Sequence, residues 1–195
     1  LPGVFAYFIP RLTHGQGKYL VNSINRVFVF IGLAFSIFLY LTSGLIADIL
    51  KNPELSIGLK IFSPFPLFTI PALGVEGIYT ALKKTKSIFF YHVFNKSLMF
   101  LCIVLPVILF HGTYRSAIIG WGIASFITFL FAMYLKNKPY TEIKKELIPN
   151  MYKTVFNYST PLMGASLVGM ALHSANTFFI SRYYGTDVFA EFSNG

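Results

Sequence analysis

Residues 117–135 contain no charged side chain at all, and residues 27–50 contain one, Asp48. A chain folded in water needs charges on its outward face, so uncharged windows of this length point to helices surrounded by lipid. At about 1.5 Å of rise per residue, roughly 20 residues cover a hydrocarbon core of about 30 Å. Three further stretches are long enough: residues 61–82 with Glu76, residues 87–110 with Lys96, and residues 160–180, whose ionisable group is His173. Five full spans are therefore expected. Residues 1–10 are apolar but short and read as the tail of another span, so the chain is expected to be a fragment. The composition agrees, since 12% charged residues is about half the share usual in soluble domains. The expected fold is all-α, a polytopic transmembrane helix bundle.

Sixteen Lys and Arg against seven Asp and Glu give a net charge of +9. In a soluble chain that excess would suggest nucleic acid. Here the placement decides otherwise. The connections between spans alternate between rich and poor in basic residues. Arg11, Lys18 and Arg26 come first, then Lys51 and Lys60. Lys83, Lys84, Lys86 and Lys96 follow, then Arg115 alone, then Lys136, Lys138, Lys144, Lys145 and Lys153, and finally Arg182. Positive charge is retained on the cytoplasmic side during insertion. The first, third and fifth connections are therefore expected in the cytoplasm, and the others outside. Membrane separates these charges into several clusters, which excludes a nucleic-acid surface.

Polar and helix-breaking residues inside the spans carry the functional signal. Pro64, Pro66 and Pro71, followed by Gly74 and Gly77, remove backbone donors from one span. Such broken helices are tolerated where the freed carbonyls face protein or a water-filled cavity, and transporters bind and flex there. Glu76 lies about 9 Å of helix rise from the cytoplasmic end. A carboxylate at that depth is expected to face the bundle interior, paired with Lys96 or Arg26 or serving as a proton or cation site. Lys96 is a candidate phosphate contact if its helix starts near Ser87, and a snorkelling interfacial lysine if it starts near Asn95. His173, Ser174 and Asn176 make the last span polar near its middle. Cys102 reads as a buried small hydrophobe. The histidines have no zinc-ligand spacing, and there is neither a G-x-S-x-G elbow nor a Walker loop. No metal, cofactor or hydrolytic chemistry is implied. Residues 136–153 carry Lys and Glu at helical spacing before Pro149, so an amphipathic surface segment is expected there, forming the internal boundary.

From Tyr158 the sequence reads Tyr-Ser-Thr-Pro-Leu-Met-Gly-Ala-Ser-Leu-Val-Gly, and from Ser174 it reads Ser-Ala-Asn-Thr-Phe-Phe-Ile-Ser-Arg-Tyr-Tyr-Gly-Thr-Asp. This resembles the helix opening the second half of polysaccharide biosynthesis proteins of the O-antigen flippase type. Their superfamily also holds the multidrug and toxin extrusion (MATE) transporters. In that family a Pro-Leu pair, here Pro161-Leu162, starts the helix, and a glycine near residues 184–186 ends it. Residues 8–11, Phe-Ile-Pro-Arg, look like the cytoplasmic end of the family's second helix.

The resemblance implies a MATE-like architecture of two bundles around a central cavity. Residues 1–135 would hold the tail of helix two and helices three to six, residues 136–157 the cytoplasmic linker, and residues 158–195 the first helix of the second bundle. The implied activity is translocation of a polyprenyl-pyrophosphate-linked oligosaccharide across the bacterial inner membrane for surface polysaccharide such as O-antigen. It would be a multi-pass transporter rather than an enzyme, working beside a glycan polymerase and other assembly proteins in the lipid bilayer. Lys96, Glu76, His173, Asn176 and Arg11 are the candidate cavity residues. Asn176 stands where relatives often carry Asp. Two other activities compete. One is a cation-coupled multidrug exporter of the same architecture. The other is an integral-membrane glycan polymerase or acyltransferase, which would need clustered polar residues in an outer loop, where little beyond Lys51, Glu54 and Arg115 is found.

Overall fold

The computed structural model of the chain describes residues 3–49, 52–109 and 114–183, and these are helices and their connections with no strand among them. The chain divides into two units, one running from Pro2 to Pro149 and the other beginning at Asn150. The first unit opens with α1 (Gly3–Phe8), a 3-10 turn (Ile9–Arg11) and the long helix α2 (His14–Ile49). A span in three pieces follows, α3 (Pro53–Phe62), α4 (Phe65–Ala72) and α5 (Val75–Ala81). Two full helices, α6 (Thr85–Leu109) and α7 (Tyr114–Asn137), and a 3-10 turn (Lys138–Tyr140) complete it. The second unit contains α8 (Met151–Tyr183), with Pro161 inside it.

Three of these helices are long and apolar enough to cross a membrane, and α3 with α4–α5 makes a fourth span bent by 45°. The fifth expected span is not among them. α8 has the length, but His173, Ser174 and Asn176 dilute its hydropathy. The large side chains on the outside of the first unit are apolar, as lipid requires: Phe30 is 71% exposed and Leu41 74%. Water would penalise such a surface, whereas hydrocarbon does not. Phe5 on α1, Leu20, Val21, Ile24 and Phe28 on α2 and Ile78 on α5 are buried, and the Phe5 and Phe28 rings meet edge to face at 6.3 Å. Two glycines let helices approach closely. A Cβ on Gly32 of α2 would stand 2.7 Å from the carbonyl oxygen of Pro66, and one on Gly120 of α7 would overlap the carbonyl oxygen of Cys102 on α6.

The lysine-rich connections gather at one end of this unit. Ile9, Thr13, His14, Gly17, Ala81, Leu82 and Tyr140 surround one small cavity there. Asn52, Glu54 and Gly58 meet Ile118 and Trp121 at another. This arrangement fits the alternation of charge read along the sequence.

Three expectations about boundaries and one about burial are corrected. α2 begins at His14, so most of the first basic connection is helix. At 36 residues it is about 54 Å long, well beyond the hydrocarbon thickness. Thr13 makes this start possible. Its Oγ1 accepts from the amide of Gln16 at 3.2 Å, and the Gln16 Oε1 accepts from the amide of Thr13 at 3.3 Å, which completes a capping box. α8 begins at Met151 rather than at Pro161-Leu162, and the glycine expected to end it lies outside the described residues. Residues 143–148 are not helical. Pro149 disfavours helix in the residue before it, and α2 claims this segment's polar groups. The amide of Glu146 donates to the Gly15 carbonyl at 3.2 Å, its Oε2 accepts from Thr13 Oγ1 at 2.5 Å, and Lys18 Nζ donates to the Ile143 carbonyl at 2.8 Å. Finally, Cys102 is half-buried rather than buried.

Candidate functional site: a polar cleft beside a broken span

The prolines break their span as expected, and at two places. Ser63 and Pro64 interrupt it first, and Pro66 then sits in the first turn of α4, where its missing N–H costs nothing. The half-buried amide of Leu67 is shared between the Pro64 carbonyl and Ser36 Oγ on α2, each at 3.1 Å. Pro71 has no N–H for the carbonyl one turn earlier, so α4 ends at Ala72. Leu73 is extended and Gly74 adopts a left-handed φ of 94°, a conformation that glycine adopts without steric cost. A Cβ there would collide with the ring of Phe5.

The α5–α6 turn sets the geometry of the site. Lys83 takes a left-handed φ of 55°. The Lys84 amide donates to Tyr79 O at 2.9 Å, and the Lys83 amide to Thr80 O at 3.0 Å, the paired bonds of a Schellman motif. α6 therefore folds back antiparallel to α5. Glu76 and His92 stand at nearly equal depth on either side of this turn. His92 Nε2 lies 3.7 Å from Glu76 Oε2, an ion pair when the imidazole is protonated. A cleft of about 260 Å³ opens around them, lined by Thr69, Leu73, Gly74, Tyr91, Asn95, Ser125 and Thr128 among others. Thr128 Oγ1 donates to Asn95 Oδ1 at 3.0 Å across α6 and α7.

The sequence places Glu76 facing the interior, either paired with Lys96 or Arg26 or serving as a proton or cation site. The structure exposes 68% of its side chain in the cleft and gives it His92. The physical reason is the hairpin, which brings α6 alongside α5 in register, while Arg26 lies exposed on α2. Lys96 is fixed well inside its helix, because α6 starts at Thr85. It borders a separate shallow groove with Ser97, Phe100 and Leu101. Arg11, in the 3-10 turn, folds back on α1: its Nη1 donates to the Tyr7 carbonyl, and the guanidinium sits 4.0 Å from the centre of the Tyr7 ring. His173 and Asn176 lie on α8, but their side chains fall outside the described residues. Of the three candidates whose side chains are described, Glu76, Lys96 and Arg11, only Glu76 lines the cleft. No cluster of metal-ligating side chains occurs among the described residues.

Sequence reasoning missed two groups. His92 could have been found by counting equal helix rise on each side of Leu82–Lys84. Lys136 had no such local signal. It was placed in the cytoplasmic connection, yet it is 0% exposed. Its Nζ donates to Asn25 Oδ1 at 2.9 Å, to Pro71 O at 2.7 Å and to Leu73 O. The rings of Phe5 and Phe28 lie 5.6 and 5.4 Å from it, within cation–π range. The carbonyls released by the break at Pro71 are the acceptors that make this burial possible.

The fold and the cleft together define a membrane-embedded helix bundle with a polar site beside a discontinuous helix. Residues 14–195 match the family model described as polysaccharide biosynthesis protein, and the chain belongs to that family. Its role is accordingly in the synthesis or export of polysaccharide. No curated protein and no solved structure matches it.

Proposed function

We propose that this chain is part of a transporter that moves a polyprenyl-pyrophosphate-linked oligosaccharide from the inner to the outer leaflet of the bacterial cytoplasmic membrane. The observation that carries the reading is the polar cleft at Glu76 and His92, set against the break at Pro71–Gly74 in an otherwise apolar bundle. A membrane anchor needs neither a broken helix nor ionisable groups at that depth, whereas a carrier for a polar headgroup needs both. In this reading residues 1–135 belong to the first bundle, 136–157 to the linker and 158–195 to the start of the second. Lys96 and Arg11, which lie outside that cleft, supply cationic groups toward the pyrophosphate elsewhere on its path, and His173 and Asn176 on α8 contribute polar contacts. The chain transports and does not transform its substrate, which a glycan polymerase then consumes. Complementing a flippase-deficient strain with the full-length gene and following lipid-linked glycan in the outer leaflet tests it. Restored glycan supports the proposal, and its absence at normal protein levels rejects it.

The Glu76–His92 pair also favours a second reading, a cation-coupled drug exporter of the same architecture. Drug efflux without any effect on lipid-linked glycan would select that reading.

A further inference from the structure

We propose that Lys136 is a positioning residue for the Glu76–His92 cleft. An ammonium has three N–H donors, and all three are engaged, by Asn25 on α2 and by Pro71 and Leu73 at the break. None remains for a ligand. Unlike Lys96, this cation therefore does not hold substrate phosphate. It binds the two carbonyls that Pro71 and Gly74 release, and so fixes the direction in which α5 leaves the break.

The neighbouring residue on α7 provides a second hold. Tyr79 Oη donates to the Leu135 carbonyl at 3.0 Å. Two adjacent residues of α7 thus grip this segment on both sides of Glu76, Lys136 at Leu73 and Leu135 at Tyr79. The Glu76 side chain is exposed and α5 is only 7 residues long, so these two holds from α7 add to the turn at Lys83 and the buried Val75 and Ile78 in keeping Glu76 at its depth opposite His92. Lys136 itself never enters the cleft. It acts through the backbone of residues 71–73.

The test uses the full-length protein with Cys102→Ser and cysteines substituted for Glu76 and His92, bridged in membranes by a short bifunctional thiol reagent. Lys136→Met keeps the length of the side chain without its donors. It is expected to lower the bridging yield severalfold while the folded fraction, read by size exclusion, is retained. An unchanged yield would overturn the proposal. If Lys136→Met yields no folded protein, Asn25→Ala removes one acceptor and is read at the same cysteine pair, with the same two outcomes. Loss of folded protein in both variants would make the lysine a folding requirement and would overturn the positioning role as well. The consequence for transport rests on the flippase reading. With Glu76 and His92 intact, Lys136→Met should lower outer-leaflet glycan per folded molecule by about tenfold or more, as small misplacements of a working group do. If the wild-type gene fails to complement, the transport reading falls while the bridging yield still decides the role of the lysine. Reduced bridging with undiminished transport would show that the cleft geometry does not serve transport.

Discussion

Glu76 and His92 face each other 3.7 Å apart across the α5–α6 hairpin, and both side chains are open to the cleft rather than packed in the core. Exposed side chains away from packing features contribute within about 0.5 kcal/mol to stability. Glu76→Gln and His92→Gln should therefore leave protein levels unchanged. Transport should fall in both, by about tenfold or more where a positioned ionisable group is lost. Outer-leaflet glycan, normalised to membrane protein, measures this, and wild-type transport in both variants would remove the pair from the site.

Gly120 has no room for a side chain, because the Cys102 carbonyl oxygen of α6 occupies that space. Backbone cannot rotate away as a side-chain tip can. Gly120→Val should cost at least the 1–3 kcal/mol, roughly, of an overpacked core, and should lower the thermal midpoint of the detergent-solubilised protein.

Gly74 combines a left-handed backbone with contact to Phe5. Gly74→Ala should cost about 1–2 kcal/mol from the backbone alone, and displacing the Phe5 ring should add to it. A melting curve matching the wild type would show that the break relaxes without strain.

Cysteines placed at residues 84 and 145 should be labelled by an impermeant reagent from the same side of the membrane. Ala81, Leu82 and Tyr140 already border one cavity at that end of the bundle. Labelling from opposite sides would contradict both the charge alternation and the helix packing.

Lys96 is exposed beside Phe100 and Leu101 on α6, apart from the core. Lys96→Ala should lower transport without lowering the amount of protein in the membrane. Unchanged transport would remove Lys96 from the site.

Much of the architecture was legible because it depends on local chemistry. Windows with at most one charged side chain pointed to α2, α6 and α7, and Pro64, Pro66 and Pro71 with Gly74 pointed to the broken span, since a missing N–H acts on its own turn. The partner of Glu76 was misread because opposite charge was sought at any distance. Helix rise about the turn at Lys83 was the better guide. Lys136 was illegible for a deeper reason. Counting basic residues treats every lysine as solvated, and whether this one folds inward depends on Asn25, Pro71 and Leu73, all remote in sequence. The linker misled in the opposite sense, because helical spacing of Lys and Glu cannot compete once Thr13, Gly15 and Lys18 bind its backbone and Glu146.

The fastening of residues 143–146 to the first turns of α2 has a mechanical consequence. α2 is a single uninterrupted rod, and its inner end is stapled to the strap that leads out of the first unit. The strap is therefore anchored to the rod at Gly15 and Lys18, more than a membrane's depth from the rod's far tip. Gly15 is the tightest point of that fastening, since a Cβ there would strike Glu146 at 2.7 Å.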